Sequence, residues 1–265
     1  MPEIDEAVVS DPVWVWGVPL APITRPEAVE AVAALVRAGT PSYFITASTH
    51  YVMLTAEVPA LRDLNDNAAF IVADGKPLVW ASRLAGTPLP ERVAGSDMIF
   101  DLCELSAKEG FRVFFLGAPP GVAEEAAKRL TETYPGLVVA GTECPPFRDP
   151  TPEEHQALIN RVRAARADIL FLAFGQPKGE LWLAENLEAL GVPVSVQIGA
   201  SLDFASGRVR RAPKLLQKTG MEWAFRLYLE PRRLLPRYAK NAAFIATSLA
   251  SDLVRRGPKR PAPPA

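Results

Sequence analysis

Short runs of apolar residues alternate along the chain with longer stretches in which apolar residues recur every three or four positions. Short runs favour buried strands and the longer periodic stretches favour amphipathic helices, so the alternation predicts β-α-β units around a mostly parallel sheet. The predicted strands cover residues 43–46, 70–73, 112–116, 137–141, 169–173 and 193–198. The predicted helices cover residues 26–38, 49–57, 59–67, 77–84, 96–109, 122–133, 152–164 and 179–190. This is an α/β, Rossmann-like fold with helices on both faces of the sheet.

The pattern changes after Pro213, where only helical spacing remains and Pro231 and Pro236 divide it. Apolar residues there recur at spacings of four or seven, which indicates amphipathic helices. We therefore predict a helical carboxyl-terminal appendage on the α/β body. The predicted division is a body over residues 1–206, a basic appendage over 207–256 and a disordered tail over 257–265.

Charge is distributed unevenly along the chain. The whole chain has 29 basic and 30 acidic residues, yet residues 207–265 hold 14 basic and 3 acidic ones. That segment carries a net charge of +11 and the remainder −12. A basic segment on an acidic body favours an anionic partner such as a phosphate, an anionic lipid or a nucleic acid, and the alternative is a solvated helical face.

Composition narrows the class of protein further. Hydrophobic residues make up 49% and charged residues 22% of the chain, which is typical of a globular protein and excludes disordered and fibrous classes. Cys103 and Cys144 have no C-x-x-C spacing and only two histidines accompany them, which argues against a Cys/His metal site. The acidic opening and the lack of an apolar run of about 18 residues predict a cytoplasmic protein without a spanning segment.

In open α/β sheets, ligands bind at the carboxyl ends of the strands, and polar residues follow two of the predicted strands closely. Asp74 comes directly after one strand, where it can accept a proton from a hydroxyl nucleophile or cap the helix that begins near Pro77. The segment from Thr46 to His50 offers hydroxyl groups and an imidazole to a sugar, although Thr49 equally suits a helix cap.

Three further strand ends carry turns rich in glycine or polar residues. Residues 117–121 form a tight strand-to-helix turn that can present backbone N–H groups to a phosphate, although they match neither G-x-G-x-x-G nor a P-loop. Residues 174–178 and 198–203 follow the last two strands. Five such strand ends together predict a cleft.

Eight segments carry a resemblance to a known family. In chain order they read VADGKPLVW, PLPERVAGSD, FFLGAPPGVAEEAAKRL, TYPGL, GTECPPF, FGQPKGELW, IGASLDFASGRVRRAP and EWAFRLYLEPRRLLPRY. Over residues 13–245 the chain resembles the WecG/TagA/CpsF family of glycosyltransferases. The resemblance implies inverting transfer of an N-acetylmannosamine-type sugar from a UDP-sugar to a lipid-diphosphate-linked saccharide at the cytoplasmic membrane surface, with no metal or other cofactor.

The same resemblance implies roles for individual residues. The family's base is the aspartate of an A-D-G motif, here Asp74, and its T-x-N and E-R-V motifs place Thr46 and Arg92 in the site. Two side-chain amides are replaced, because Ser48 stands for the asparagine of T-x-N and Gly179 for the glutamine of G-x-P-K-Q-E. The remaining matches are Gln176 and Lys178 in the latter motif and Arg226, Arg232, Arg233 and Arg237 in and after E-W-x-x-R-L-x-x-E-P-R-R.

These residues combine into one leading hypothesis. Asp74 removes a proton from the acceptor, Thr46, Ser48 and Arg92 orient the sugars, and the arginines from Arg226 to Arg237 stabilise the diphosphate. The turns at Gly117, Gln176 and Gly199, with Asp203 beside the last, hold the nucleotide. No D-x-D pair lies at a predicted strand end to hold a cation, so arginines would neutralise the leaving UDP.

The expected partners are a UDP-sugar donor, a polyprenyl-diphosphate-linked acceptor, an anionic membrane surface and a second copy of the chain, but not nucleic acid. The protein is expected to be peripheral on the inner face of the membrane. The alternative is a catalytically silent nucleotide-sugar or lipid-diphosphate binding protein, because Ser48 and Gly179 replace amides. A dinucleotide oxidoreductase is disfavoured because the glycine fingerprint is missing.

Overall fold

A computed structural model describes residues 11–146, 148–213, 215–216 and 220–255. Its strands are β1 (Val13–Val15), β2 (Val18–Leu20), β3 (Ser42–Ala47), β4 (Ile71–Ala73), β5 (Arg112–Gly117), β6 (Val138–Glu143), β7 (Ile169–Ala173) and β8 (Val194–Gln197). Strands β3 to β8 form one sheet of six strands in the order β4-β3-β8-β7-β5-β6, and every neighbouring pair is parallel.

Each strand of the six-stranded sheet is followed by at least one helix. In the described residues they are α1 (Arg25–Ala38), α2 (Thr49–Glu57), α3 (Ala60–Asn67), α4 (Lys76–Leu84), α5 (Gly95–Glu109), α6 (Val122–Thr133), α7 (Pro152–Ala165), α8 (Lys178–Leu190), α9 (Ser201–Ala205), α10 (Glu222–Leu229) and α11 (Pro231–Arg255). The predicted α/β fold with a carboxyl-terminal helical region is confirmed, and most predicted boundaries lie within one or two residues of the observed ones.

Apolar side chains fill both faces of the sheet. Along β5, Val113 and Phe115 pack with α1, α5 and α6, whereas Phe114 and Leu116 pack on the opposite face with α2, α3, α4, α7 and α8. Phe115 stacks on Phe171 of the neighbouring strand, with ring centroids 5.4 Å apart. Burial on both faces explains why the strands read as continuous apolar runs rather than alternating ones.

The amino-terminal hairpin was not predicted. β1 and β2 pair antiparallel through a two-residue turn in which Trp16 has φ +48° and Gly17 has φ +86°. Positive φ at both turn residues matches the right-handed twist of a hairpin, and glycine adopts it without strain. The strands have three residues each and β2 contains Pro19, so neither gave a recognisable strand pattern.

The two prolines of the last helical stretch behave differently. Pro231 begins α11, whereas Pro236 lies inside it, so the prediction that Pro236 divides the helix was wrong. A proline removes one hydrogen bond, here to the carbonyl group of Arg232. Pro236 and Arg232 are both exposed, so water can reach that carbonyl group and the helix continues.

Helix α11 is docked against the body within a single chain. The Trp16 indole N–H donates to Asp252 Oδ2 at 2.8 Å, and its ring meets the edge of Phe244 with centroids 5.5 Å apart. Nearer the start of the helix, His50 Nδ1 lies 3.3 Å from Asn241 Oδ1. The hairpin and α2 therefore fix the basic appendage over the body.

Several predictions about the chain ends remain open. The predicted tail 257–265 lies outside the described residues, and the division at residue 206 stays a prediction. None of the helices in the described ranges is long and apolar enough to cross a bilayer. In those same ranges, no group of three or more His, Cys, Asp or Glu side chains is arranged to hold a metal ion.

Candidate active site

The predicted site residues follow strands that end at the same edge of the sheet. Asp74 follows β4, Ser48 follows β3, Gly199 follows β8, Gln176 follows β7 and Gly117 ends β5. The strand order places β4 two positions from β8, or about 10 Å at ordinary strand spacing. A hexose is narrower than that separation, so groups at β4 and β8 can contact opposite ends of one sugar-sized ligand.

Asp74 is held at the end of β4 by backbone and side-chain hydrogen bonds. Its N–H donates to the carbonyl oxygen of Ala47 at 2.9 Å, and its Oδ2 accepts the backbone N–H of Gly95 at 3.1 Å. A Cβ atom at Gly95 would lie 2.9 Å from Thr46 Oγ1, so only glycine lets the start of α5 approach Thr46 this closely. Thr46 and Asp74 thus share one corner of the edge.

The capping alternatives for this region were assigned to the wrong residues. Helix α4 begins at Lys76 with Gly75 as its N-cap and no side-chain cap, so Asp74 does not cap that helix. Its carboxylate instead accepts the N–H of Gly95, the first residue of α5, which comes from another part of the chain. Ser48, rather than Thr49, caps α2, because its Oγ accepts the N–H of Tyr51 at 3.2 Å.

The surroundings of Asp74 favour its protonated form. Burial raises the pKa of the Asp74 carboxyl above its ordinary value, and the nearby charges of Asp97 and Glu222 raise it further. The Arg92 guanidinium and the Gly95 N–H oppose that shift, although burial outweighs them. A carboxylate that binds a proton more tightly than usual is a stronger general base.

Arg92 belongs to a network of two arginines and two carboxylates beside Asp74. It lies 3.3 Å from Asp97 and 3.7 Å from Glu222, and Arg211 lies 2.5 Å from Asp97 and 3.2 Å from Glu222. These ion pairs join the start of α5 to the start of α10. Sequence reasoning did not place Arg211 or Glu222 in the site, although both fall in segments that carry the family resemblance.

A pocket of about 230 Å³ opens between the turns after β5 and β8 and the appendage. Its lining residues are Pro119, Ala200, Asp203, Phe204, Arg208, Val209, Arg226, Glu230 and Arg233. Pro119 and Ala200 belong to the turns that contain Gly117 and Gly199. Three arginines and two carboxylates give the pocket a net positive lining suited to an anion.

Two arginines of this pocket differ in the hydrogen bonds and ion pairs that they form. The Arg226 guanidinium lies 5.3 Å from the centroid of the Phe204 ring, and its Nε has no hydrogen-bond partner in the described residues. Arg233 Nε lies 2.6 Å from Glu230. Burial raises the pKa of Asp203, against the neighbouring charges of Arg208, Arg233 and Arg226. Arg208 was missed because the segment that contains it carries the family resemblance without implying a role for that residue.

The other two predicted arginines, Arg232 and Arg237, lie on α11. Desolvation by surrounding protein lowers the pKa of Arg237, and the charges of Arg226 and Arg233 lower it further, so these three guanidinium groups are neighbours. The pKa of His50 is also lowered, first by burial and then by the charge of Arg237. Arg232 and Arg237 are both exposed, and neither lines the pocket.

Polar side chains lie close together at the ends of the middle strands β3 and β7. Ser48 Oγ donates to Gln176 Oε1 at 3.1 Å, which joins the ends of β3 and β7. Gln176 also lies near Glu180 and lowers the pKa of that carboxyl, which belongs to a residue with only 3% of its surface exposed. Lys178 is exposed, and it forms an ion pair with Asp149 in which Nζ lies 3.7 Å from the carboxylate.

Burial raises the pKa of Glu180 to about 7, although Gln176 and Arg237 oppose the shift. The folded protein therefore binds this proton more tightly than the unfolded chain. The resulting stabilisation is fully present below pH 4.5, the ordinary pKa, and is lost as the pH rises through about 7. The loss is on the order of 3 kcal/mol.

Replacing Glu180 with Gln is expected to remove this pH dependence. The difference in unfolding free energy between Glu180→Gln and wild type should therefore shift in favour of the variant between pH 5 and pH 8, as urea titrations can measure. Glu188→Gln, an exposed change on the same helix, is the matched control and should show no such trend. Parallel pH curves for wild type and Glu180→Gln would contradict the assignment.

The chain has an α/β fold with polar side chains gathered at one edge of its sheet, and comparisons with known proteins give the class to which it belongs. The model of the glycosyl transferase WecG/TagA/CpsF family matches residues 13–258, and the chain belongs to that family. It is therefore a glycosyltransferase of the hexosyltransferase type.

Two curated relatives carry the same name, N-acetylglucosaminyldiphosphoundecaprenol N-acetyl-beta-D-mannosaminyltransferase. The one from Bacillus spizizenii is 30% identical over 192 residues, which are 72% of this chain and 73% of the relative. The one from Bacillus subtilis is 30% identical over 182 residues, which are 67% of this chain and 69% of the relative. The name describes a sugar transferred to a lipid-diphosphate-linked sugar in those two proteins.

Proposed function

We propose that this chain transfers an N-acetylmannosamine-type sugar, or a related hexosamine or uronate, from a UDP-sugar to a lipid-diphosphate-linked saccharide. The transfer inverts the anomeric carbon and needs no metal ion. The observation that carries the proposal is the Asp74 carboxyl, which lies partly buried at the carboxyl edge of the sheet, accepts the N–H of Gly95 and has a raised pKa. The names of the two relatives support the donor sugar and the acceptor class.

The proposed reaction is a single displacement. The acceptor hydroxyl gives its proton to the Asp74 carboxylate as its oxygen forms a bond to the anomeric carbon. The bond from that carbon to the β-phosphate oxygen breaks on the opposite face, and UDP leaves with the electron pair. Because bond formation and bond cleavage occur on opposite faces, the configuration at that carbon inverts.

The arginine pocket is proposed to hold the diphosphate of the donor. Arg226, Arg233 and Arg237 are neighbours, and the first has an unused, buried Nε–H group. Charge-assisted hydrogen bonds from such groups stabilise the negative charge that develops on the leaving phosphate. These side chains offer the positive charge that a divalent cation supplies in other transferases.

The appendage is proposed to contact the anionic inner surface of the membrane, where a lipid-linked acceptor would lie. Large apolar side chains are exposed there, with Tyr228 exposed by 82% and Leu235 by 57%. Basic residues Arg232 and Lys240 are exposed on the following helix. Basic and apolar groups together favour an anionic lipid surface, at roughly 1 kcal/mol for each basic residue near it.

Release of UDP tests this function directly. Purified protein is incubated with a panel of UDP-N-acetylhexosamines and a lipid-diphosphate-linked N-acetylglucosamine acceptor, presented in anionic or neutral vesicles. We expect acceptor-dependent UDP release that is fastest with the mannosamine donor, unchanged by EDTA, and faster on anionic vesicles at low salt. Binding of donors without UDP release would favour the silent binding protein, and a strict need for Mg²⁺ or Mn²⁺ would contradict the role of the arginines.

A further inference from the structure

A buried carboxylate begins the helix that carries Arg226. Glu222, the first residue of α10, has 7% of its surface exposed. Its Oε1 accepts a hydrogen bond from Arg211 Nε at 3.2 Å, and its Oε2 lies 3.7 Å from Arg92. Acidic side chains are rarely buried unless they are paired, and here two arginines supply the pairing. These two ion pairs hold the first residue of α10 in place.

The Arg211 partner is itself held at the start of α5. Its Nη2 donates to Ser96 Oγ at 3.2 Å and to Asp97 Oδ1 at 2.5 Å. Both acceptors lie in the first turn of α5. The N–H of Gly95, which begins that turn, donates to Asp74 Oδ2. A continuous series of hydrogen bonds and ion pairs thus connects the carboxylate at the start of α10 with the turn that contacts Asp74.

A second contact places the start of α10 close to Asp74. A Cβ atom at Gly220 would lie 2.5 Å from Lys76 Cγ, so the backbone just before α10 lies directly against the first residue of α4. Gly220 has φ +78°, in the left-handed region that favours glycine. Lys76 follows Asp74 by two positions. The start of α10 is therefore fixed from α4 as well as from α5.

One face of α10 connects this fixed start to the arginine pocket. Arg226 follows Glu222 by four positions, so the two side chains lie on the same face of the helix with Cβ atoms about 5–6 Å apart. The Arg226 guanidinium lies 5.3 Å from the centroid of Phe204, which lines the pocket. Any rotation of α10 about its axis would move both side chains together. The direction of Arg226 thus depends on the position of Glu222.

We infer that Glu222 is a positioning residue, which fixes α10 about its axis through its two ion pairs and so holds Arg226 toward the arginine pocket. The inference rests on the proposed function, because the direction of Arg226 matters only if the pocket holds the diphosphate of a donor. Glu222 is not a catalytic residue, since it is buried and does not line the pocket. A carboxylate that only stabilised the fold would affect kcat equally with or without Arg226, and that difference can be measured.

A double-mutant cycle between positions 222 and 226 tests the inference. Glu222→Gln keeps the size of the side chain and removes its charge, and we expect it to lower kcat at least tenfold. In the Arg226→Ala background the same change should lower kcat by threefold or less, because the arginine to be positioned is already absent. An equal loss in the two backgrounds would overturn the inference, as would a wild-type kcat for Glu222→Gln.

Two controls accompany the cycle. In the Arg232→Ala background, Glu222→Gln should keep its full loss in kcat, because Arg232 is exposed outside the pocket. Glu188→Gln, the same change at an exposed position of α8, should leave kcat and the melting temperature as in the wild type. If the loss caused by Glu222→Gln also shrank to threefold in the Arg232→Ala background, the coupling would not be specific to Arg226 and the inference would be wrong.

Arg211→Lys examines the same ion pair from its other side and serves if Glu222→Gln does not fold. The single ammonium nitrogen of a lysine cannot occupy the positions of both Nε and Nη2, so it cannot reproduce the contacts with Glu222 and Asp97 together. We expect a loss of at least fivefold in kcat that shrinks to twofold or less in the Arg226→Ala background. Equal losses in the two backgrounds would again contradict the inference.

Failure of the proposed function has a different signature. It appears as no UDP release by the wild type with any donor, a result that no variant is needed to obtain. Failure of the present inference appears in an active wild type, as losses at position 222 or 211 that do not depend on Arg226.

Discussion

Replacing Asp74 with Asn is expected to lower kcat for sugar transfer by about 10²–10⁴-fold, the usual contribution of a general base. The amide cannot accept the proton of the acceptor hydroxyl, whereas its oxygen can still accept the N–H of Gly95. The fold and the affinity for UDP should therefore change little. Steady-state kinetics together with UDP binding measured by calorimetry separate these two effects.

The control for this variant is Asp101→Asn. Asp101 lies on α5, burial raises its pKa as well, and it pairs with Arg25 at 3.1 Å. A loss of rate specific to position 74 thus reports the role of the residue and not the general cost of removing a buried charge. Wild-type turnover by Asp74→Asn would reduce Asp74 to a structural tether for α5.

The pH dependence of the reaction gives a second view of Asp74. A base must be deprotonated to act, so kcat should rise with pH and level off above the pKa of the base. Burial raises that pKa, which places the midpoint above the range of an ordinary aspartate. The Asn variant should lack this dependence in whatever activity it retains.

The second large effect is expected from the arginines of the appendage. Arg226→Ala should lower kcat by about 10–150-fold, because its Nε–H has no partner in the described residues and a hydrogen bond to a charged group contributes about 1.5–3 kcal/mol. Arg233→Ala should lose less, since that side chain already pairs with Glu230. Arg232→Ala is the matched control and should stay within about threefold of wild type, because Arg232 is exposed outside the pocket.

Arg226→Ala should lose kcat more than affinity for UDP, since the negative charge to be stabilised grows as the leaving bond breaks. Equal losses for Arg232→Ala and Arg226→Ala would show that the appendage acts only through its total charge. Recovery of Arg226→Ala by added Mg²⁺ would instead point to a cation at the diphosphate.

Most of the fold follows from local patterns in the sequence. The parallel sheet was predictable because both of its faces are buried, which leaves uninterrupted apolar runs, and because the helices between strands are amphipathic. The polar residues after the strands were predictable as site candidates for the same reason, since parallel strands bring their carboxyl ends together. Asp74, Ser48 and Gln176 follow strands of that one edge.

The remaining features depend on contacts between distant segments. Asp74 serves α5 rather than the helix that follows it, and Arg211 reaches Asp97 across 114 positions of the chain. Gly179 on α8 lies close to the side chain of Gln197 on β8, an approach that no spacing within either segment reveals. Such contacts are set by packing, so sequence patterns alone do not predict them.

The configuration of the product tests the central claim most directly. UDP-hexosamine donors carry the sugar in α linkage, and a single displacement assisted by Asp74 must give a β-linked product. The disaccharide-lipid formed in the presence of EDTA can be examined by the one-bond carbon–hydrogen coupling at its new anomeric centre. The account predicts β linkage at the full rate, whereas an α-linked product would contradict it, because a single displacement from the face opposite the leaving group cannot retain the configuration.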